Sequence, residues 1–392
     1  MTILTIAATA AFAAVILFLR RGLYKLPDAT EQTDAGDDGV NKFSIIVAAR
    51  NEAENLPACL NSLLSQNIPA DRYEVVVAND RSTDATPQIL SDAAAKHQNL
   101  RVVTVKETPR GISPKKHAVM NAIAAADPGN NIIVFTDADC VAPPTWLSSI
   151  NNYFANGDSV DLVQGVTTYS NPPAGMSRLF WGLQSVDFLS HGIIAASAIA
   201  AGLPINANAN NMAFRREVFE RVGGYGGNTD VVPGDDDQLL QRVWAYGRRS
   251  RKRGVAFMTD PAGAVETAPT RTLSMLFEQR RRWGAVTVYY GVRQIALLSA
   301  VFAFYLTIAA TAFISIFSPA VYLPIFLSLM FVKLAGELVL MIPGTRIFGK
   351  KNLRKYILPA SIVHLPMVLL SVLFGVFGGF KWKGKKTGLK VK

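Results

Sequence analysis

Two aspartates one residue apart, Asp137 and Asp139, close the apolar run NIIVFTDADC at residues 131–140. A short run of Ile, Val and Phe bounded by polar residues predicts a strand buried on both faces. Carboxylates placed where such a strand leaves the core are costly unless a cation meets them. Hard divalent cations take oxygen ligands, and Mg²⁺ is usually held by one or two carboxylates plus substrate phosphates. The pair therefore points to a metal–diphosphate site at the carboxyl end of a sheet strand. The competing reading is a pair of aspartates capping the next helix. A second acidic group, Asp235, Asp236 and Asp237, precedes an apolar-periodic helix in PGDDDQLLQRVW. It reads either as an acidic helix N-terminus, which the helix dipole favours, or as the source of a general base near a diphosphate. His191, with Asp187 in the apolar stretch 178–200, reads as a satisfied structural residue and not as a catalyst.

The elements that must position these residues are legible from residue 43 onward. FSIIVAA (43–49) and YEVVVAND (73–80) predict strands, and 52–66 a helix with Leu56, Leu60, Leu63 and Leu64 on one face. Ser82, Thr83 and Asp84 are candidate caps for the helix after the second strand. RVVTV (101–105), a helix over 114–126 and the strand ending at Asp137 complete the run. Strands alternating with helices imply an α/β fold with a mostly parallel sheet covered on both faces. In such sheets the ligand crevice lies outside the carboxyl ends of the strands. Asp80, Asp137 and Asp139 all end strands in this reading, so one crevice could serve them. Residues 206–216 are polar and turn-rich.

Half of the 392 residues are hydrophobic and 18% are charged, which is too apolar for an ordinary soluble enzyme. The length allows one large or two medium domains. Residues 2–19 are uncharged and long enough to cross a ~30 Å hydrocarbon core. No positive charge precedes them, so a cleaved signal peptide is not expected. Arg20, Arg21 and Lys25 follow, and the positive-inside rule puts what comes next in the cytoplasm. Residues 295–317, 320–342 and 356–380 are further candidate spans, with Pro319 and Pro324 dividing the first pair into a hairpin. Pro359 and Pro366 interrupt the third. The division expected is an N-terminal span (1–22), a linker (23–42), a catalytic domain with interfacial helices (43–290) and a C-terminal membrane domain with a basic tail (291–392). Three full C-terminal crossings would place that lysine-rich tail outside, against the positive-inside rule.

The formal net charge of +11 is clustered, with five basic residues in 248–253, five in 346–355 and six lysines in 381–392. Basic runs beside apolar spans suit an anionic membrane face, and nucleic acid is not expected as a partner. Cys59 and Cys140 offer no disulfide framework and no metal spacing, which fits a reducing compartment.

FSIIVAARNEAENL, VVVANDRSTDAT, KKHAVMNA, FTDADC, NNMAFRREVF, GDDDQLLQR and QRRRW stand in the order seen in membrane-bound family 2 glycosyltransferases. The chain resembles that family over residues 43–283, and in its flanking membrane segments. The resemblance implies a GT-A fold, Rossmann-like with a mostly parallel sheet, forming a cytosolic domain between N- and C-terminal transmembrane helices. It implies a multi-pass protein of the inner (plasma) membrane. Glu52 and Asp80 would then lie in the nucleotide pocket, and Lys116, five residues before Asn121, would approach the diphosphate. Asp137 and Asp139 match the DxD motif, with Asp139 the metal ligand and Mg²⁺ or Mn²⁺ the ion. Asp236 matches the base, preceded here by Asp235 where Glu is usual, which leaves that assignment open by one position. Gln279, Arg282 and Trp283 match QxxRW, the first two at the donor and Trp283 at the acceptor. Ala48 stands where proline is usual.

A nucleoside diphosphate leaves with developing negative charge, which a metal and a cation such as Arg282 offset. An acceptor hydroxyl needs a carboxylate within hydrogen-bond reach to take its proton. A single displacement of this kind inverts the anomeric centre. The expected partners are a nucleotide sugar of UDP type, a lipid or glycan acceptor, and the membrane. The modest membrane portion favours transfer to one lipid (a polyprenol, diacylglycerol, hopanoid or carotenoid) over a processive polysaccharide synthase. A silent membrane scaffold is the remaining alternative. For QRRRW, an amphipathic interfacial helix with snorkelling arginines is a compatible reading.

Overall fold

The computed structural model describes residues 2–26, 41–155, 160–225, 234–249, 254–287, 290–378, 380–382 and 385–387. Most of the expected linker, residues 27–40, lies outside the described residues, as do basic positions 251–253, the side chain of Asp235 and much of the lysine-rich tail. After helix α1 (Thr2–Leu23) come β1 (Phe43–Ala49), α2 (Leu56–Leu64), β2 (Tyr73–Asp80), α3 (Thr86–Ala94), β3 (Leu100–Val105), α4 (Pro114–Ala125) and β4 (Ile132–Asp137). Then follow β5 (Cys140–Val141), α5 (Trp146–Ala155), β6 (Leu162–Gly165), β7 (Thr167–Tyr169), α6 (Arg178–Ala201), β8 (Met212–Arg215), α7 (Arg216–Arg221) and α8 (Asp235–Arg249). The chain continues through β9 (Val255–Met258), β10 (Val265–Thr267), α9 (Leu273–Val286), α10 (Val292–Ser315), α11 (Pro319–Ile347) and α12 (Ile357–Gly378).

These elements form two compact units. One comprises Pro27–Ser170 and Asn206–Ala268; the other comprises Met1–Leu26, Asn171–Ile205 and Pro269–Lys392. The segment 43–290 is thus not one continuous body. Residues 171–205 and 269–290 join the terminal helices, because α6 and α9 pack along α1 and α12.

The first unit is built on a seven-stranded sheet in the order β3-β2-β1-β4-β8-β6-β9. β1, β2, β3 and β4 run parallel, whereas β8 runs antiparallel to both β4 and β6. The sheet is therefore mostly parallel, as the alternation predicts, with one reversed strand inside the stretch that reads as turn-rich. The apolar runs are buried on both faces, and Ile45, Val47, Val75, Val77, Ile132 and Val134 are fully excluded from solvent. A small sheet, β5-β10-β7, stands beside it, with Cys140 paired to Thr267. Helix α2 starts at Leu56, four residues later than the sequence suggests, with Pro57 in its first turn, a position that tolerates proline.

The second unit is helical. Among the described residues, five of its helices are long and apolar enough to cross a membrane. In four, only 17–28% of the most apolar window is buried, as befits lipid-facing surface, but in α6 the share is 61%. Helix α6 is the fifth candidate, which periodicity alone did not single out, and α1 lies close against it. A Cβ added at Gly22 would fall 1.8 Å from the Ser197 carbonyl oxygen, so only glycine permits that approach. The α9–α12 crossing has the same character, with a Cβ at Gly284 falling 2.7 Å from the Ser371 carbonyl oxygen and one at Gly375 2.5 Å from that of Arg281. Helix α11 runs on to Ile347 through Pro343, past the end expected near residue 342.

Candidate active site

The strand order places a topological switch point between β1 and β4, because β2 and β3 lie on one side and β4 on the other. Open α/β sheets bind ligands just outside the strand ends at such a point. Ala48 pairs with Asp137 and Ala49 with Asn79, so the ends of β1, β2 and β4 are level. Strands about 4.8 Å apart put Asp80 and Asp137 roughly 10 Å from each other along this edge. Glu52 follows β1 immediately. The acids that the sequence points to are therefore brought to one edge.

Two loops forming this edge are clasped together. The Asn51 amide donates to Ser82 Oγ (3.0 Å), and the Thr83 amide donates to Asn51 Oδ1 (2.8 Å). The Glu52 amide donates to Thr86 Oγ1, and the Ala53 amide to Asp84 Oδ2. Ser82 and Thr83 thus bind the neighbouring loop, leaving Asp84 to accept the Thr86 amide at the start of α3. Asn51 and Arg81 both sit at positive φ, 54° and 52°. Such residues cost free energy and gather at functional loops. Arg81 is held there by its fork on Asp80, with contacts of 2.7 and 3.1 Å, and Arg50 lies 3.6 Å from the same carboxylate.

The charge around the DxD pair is unbalanced. Lys115 Nζ donates to Asp137 Oδ1 at 2.6 Å. Asp139 is open to solvent at the strand end, yet desolvation by the protein packed around it, the Asp137 charge and the Glu52 charge together push its carboxyl up to about 6, against the opposing pull of Lys115. The resemblance puts Lys116 at the diphosphate, yet Lys116 is fully buried with its ammonium 5.7 Å from the Tyr225 ring centroid. Successive helix residues point about 100° apart, so the two lysines serve different surroundings. Burial pushes the Cys59 thiol up to about 12, and the Cys140 thiol is raised as well, which makes both inert as nucleophiles.

These residues fit a hard divalent cation. Carboxylate oxygens from Asp137 and Asp139 stand where negative charge exceeds positive. Among the described residues no group of three or more His, Cys, Asp or Glu forms a closed cage. A site completed by water and phosphate oxygens needs only one or two carboxylates.

Asp236 reaches the same region through the segment before β8. One of its oxygens accepts the Ala209 amide (3.1 Å) and the other accepts the Asp237 amide (3.0 Å), while Asp237 accepts the Ala207 amide. The neighbouring Asn210 carbonyl accepts the hydroxyl of Thr136, the residue before Asp137. Asn211 locks the segment: its Nδ2 donates to the Val166 and Gly263 carbonyls, and its Oδ1 accepts the indole N–H of buried Trp146, each at 2.9 Å. The sequence gives no sign of Asn211 beyond its turn-rich setting.

In the helical unit, α9 carries QRRRW. Gln279 Oε1 accepts from Arg280 (2.7 Å), and Arg282 is half-buried. The buried arginine of the motif is Arg280, whose Nε donates to Asp187 Oδ2 at 2.5 Å and whose guanidinium lies 4.0 Å from the Trp283 ring centroid. Phe188 stacks on the same indole at 5.8 Å, and His191 meets it edge-on at 4.9 Å. The aromatic face expected to receive a sugar or lipid is therefore engaged within the unit.

A mostly parallel sheet with an acidic switch point and a reversed strand beside it is the architecture of a GT-A glycosyltransferase. The chain belongs to glycosyltransferase family 2: residues 41–285 match the family model described as "Glycosyltransferase like family 2". It is similar to glycosyltransferase AglE of Haloferax volcanii, with 26% identity over 208 residues, 52% of this chain and 62% of that protein. It is also similar to the beta-monoglucosyldiacylglycerol synthase of Synechocystis, with 28% identity over 251 residues, 64% of this chain and 48% of that one. The chain thus spans less than two thirds of the length of these relatives. Among solved structures, the mannosyltransferase PcManGT from Pyrobaculum calidifontis, in complex with GDP-Man and Mn²⁺, superposes with a TM-score of 0.58 at 22% identity. That match covers 95% of this chain and 98% of that one, and it shows the shared fold.

Proposed function

We propose that the protein is an inverting glycosyltransferase that moves a sugar from a nucleotide-sugar donor to a lipid acceptor in the membrane. The observation that carries this reading is the acid-rich switch point, where Asp137 ends β4 level with the end of β1, Glu52 and Asp139 follow these strands, and Lys115 donates to Asp137 at 2.6 Å. Asp139, with Asp137 beside it, would hold Mg²⁺ or Mn²⁺. Bound there, the ion supplies charge neutralisation for the departing nucleoside diphosphate. Asp80, fixed by Arg81 and Arg50, and Glu52 border the nucleotide pocket. Lys115 orients Asp137 and adds positive charge where the phosphates lie. Lys116 shapes that helix from its buried position. Gln279 and Arg282 act on the donor, as the family motif implies.

Asp236 takes the acceptor proton. Its two backbone hydrogen bonds at the start of α8 hold its carboxylate oriented, and proton removal needs that oxygen within hydrogen-bond reach of the hydroxyl. A lipid acceptor is supported by the similarity to a diacylglycerol glucosyltransferase and by the apolar surfaces of α1, α10, α11 and α12. Arg20 and Arg21 at the end of α1 support a cytoplasmic sheet unit at the plasma membrane.

The test is product analysis. Purified full-length protein is incubated with radiolabelled nucleotide sugars, UDP-linked first, and total membrane lipid with a divalent cation. The expected product is an organic-extractable monoglycoside. Aqueous material of high molecular mass would replace this reading with polymer synthesis, and no turnover of any donor would remove the enzyme assignment.

A further inference from the structure

Charge is divided unevenly between the two units. The helical unit holds 21 lysines and arginines against three acids, Asp187, Glu278 and Glu337, whereas the sheet unit holds 19 against 26. The formal +11 therefore comes wholly from the helical unit. Three of its basic groups flank apolar helices: Arg20, Arg21 and Lys25, then residues 346–355, then residues 381–392. The turn between α10 and α11 is uncharged, for no Asp, Glu, Lys or Arg stands between Arg293 and Lys333. Which side of a membrane receives the last basic group depends on whether α12 crosses.

The two helices that carry the ends of α12 do not cross. Helix α6 leaves the sheet unit after Ser170, and the chain rejoins that unit at Asn206. The seven residues before α6 and the four after it reach at most about 25 and 14 Å, short of a ~30 Å hydrocarbon core. Helix α9 has 14 residues, about 21 Å, and carries Glu278, Arg280, Arg281 and Arg282. Each helix therefore begins and ends on one face of a bilayer, and the Arg280–Asp187 pair ties the two together at 2.5 Å.

At the start of α12, Tyr356 covers Gly182 of α6, where a Cβ would fall 2.4 Å from the ring, and meets Trp181 edge-on at 6.1 Å. In its last two turns, Ser371 and Gly375 lie against Gly284 and Arg281 of α9, and Phe374 meets Phe277 at 6.2 Å. The strand β11 (Phe380–Trp382) continues against α9 and pairs antiparallel with β12 (Lys385–Thr387). Leu358, Ile362, Pro366, Leu370 and Phe374 are exposed at four-residue spacing, which gives α12 one lipid-facing side.

We infer that α12 lies within one leaflet on α6 and α9, leaving α1, α10 and α11 as the crossings, and that it holds the lysine hairpin of β11 and β12 at anionic phospholipid head groups on the face of the sheet unit. At 22 residues, about 33 Å, α12 is long enough to cross, yet both of its ends are fixed to helices that stay on one face. All three basic groups then share that face and the uncharged turn has the other, as the positive-inside rule requires. Lysines beside an anionic leaflet gain affinity from its negative surface potential. The inference takes the cytoplasmic name of that face from the orientation proposed above, and the first experiment separates the two.

Thr30→Cys, Ser318→Cys and Gly388→Cys, each in the full chain, are labelled with a membrane-impermeant maleimide in intact cells and in inside-out vesicles. Cys59 and Cys140 are buried and stay silent. Positions 30 and 388 are expected to react from one face and position 318 from the other. Reaction of position 388 from the face of position 318 overturns the inference. Reaction of positions 30 and 388 in intact cells upholds it and reverses the orientation proposed above. The second experiment places the full chain in nanodiscs of equal phosphatidylglycerol and phosphatidylcholine, and native mass spectrometry reads the lipids retained. Phosphatidylglycerol is expected in excess. Gln at Lys381, Lys383, Lys385 and Lys386 together should lower that excess at least about fivefold, the effect of about one near-surface lysine, whereas Arg at the same positions should keep it. Lys385→Gln with Lys386→Gln takes its place if the fourfold variant no longer binds nucleoside diphosphate. No excess in the parent, an undiminished excess in the Gln variant, or equal loss in the Gln and Arg variants overturns the assignment of the partner.

Discussion

Each unit carries a cluster of acids, and the two clusters are resolved in opposite ways. At the sheet edge, Glu52, Asp137 and Asp139 share Lys115, and the Asp139 carboxyl stays raised to about 6. In the helical unit, Asp187 and Glu337 meet Arg280 and Lys333, at 2.5 Å in both cases, with His364 between them at 3.7 and 3.3 Å. The first arrangement leaves acid in excess of base at the strand ends, as the proposed cation site requires, whereas in the second each carboxylate has a cation of its own. Unbalanced charge marks where a ligand ion belongs, and balanced charge marks where the protein fixes its own geometry.

Substitutions break this comparison in graded ways. Asp236→Asn is expected to lower kcat by about 10²–10⁴-fold, the range for a lost general base, with donor affinity nearly unchanged by titration calorimetry. Asp139→Ala should instead abolish cation-dependent donor binding, and equal loss of binding in both variants would undo the division of roles. Arg280→Met removes the 2.5 Å partner of the half-buried Asp187 and leaves His364 Nε2, at 3.7 Å, beside it; breaking a buried pair costs at most about 3–5 kcal/mol, and the loss should appear as a lower unfolding midpoint in detergent. A midpoint unchanged from the parent would show that the helical cluster is not a structural pair.

Proton competition provides a milder test. Asp139 has a folded pKa above its ordinary 3.8, so the folded state holds more protons than the unfolded state between 3.8 and about 6. Its charge therefore opposes folding above about pH 6, and that opposition is relieved as pH falls toward 3.8. Cation binding runs the other way because it needs the carboxylate. Mn²⁺ affinity in the presence of nucleoside diphosphate should weaken by up to about tenfold per pH unit below about 6 and flatten above 7. A flat profile from pH 5 to about 8 would mean that Asp139 is not the titrating ligand.

The smallest effect is expected at Lys115→Met. About a quarter of each partner's side chain in the Lys115–Asp137 pair is exposed, so its loss should change stability by only ~0–1 kcal/mol. The inflection in Mn²⁺ affinity should nevertheless move to higher pH, because Lys115 holds the Asp139 carboxyl down. A large stability loss here would erase the contrast with Arg280.

The sheet was legible because its strands are short, apolar and bounded by polar residues. The runs predicted at 43–49 and 73–80 are the observed β1 and β2. The acids were legible because a carboxylate at the end of a buried strand is costly without a purpose. Lys115 was not, since periodicity does not say which of two adjacent helical lysines turns toward the strand ends. Among the three arginines of QRRRW, burial of Arg280 depends on Asp187, which is 93 residues away in sequence. Reversed strand β8 was hidden because four residues in a polar, turn-rich stretch carry too little pattern. The helical interior of α6 was obscured by its composition, which suits a lipid-facing helix and a buried one equally.

The crossing of α9 and α12 is set by two missing side chains. Main chain rests on main chain at Gly284 and Gly375, and the Arg281 guanidinium adds a tie to the Phe374 carbonyl at 3.2 Å. The clearance there is smaller than one methyl group. Arg280 and Trp283 thus take their address from rigid backbone, and residues elsewhere on either helix can vary without moving them.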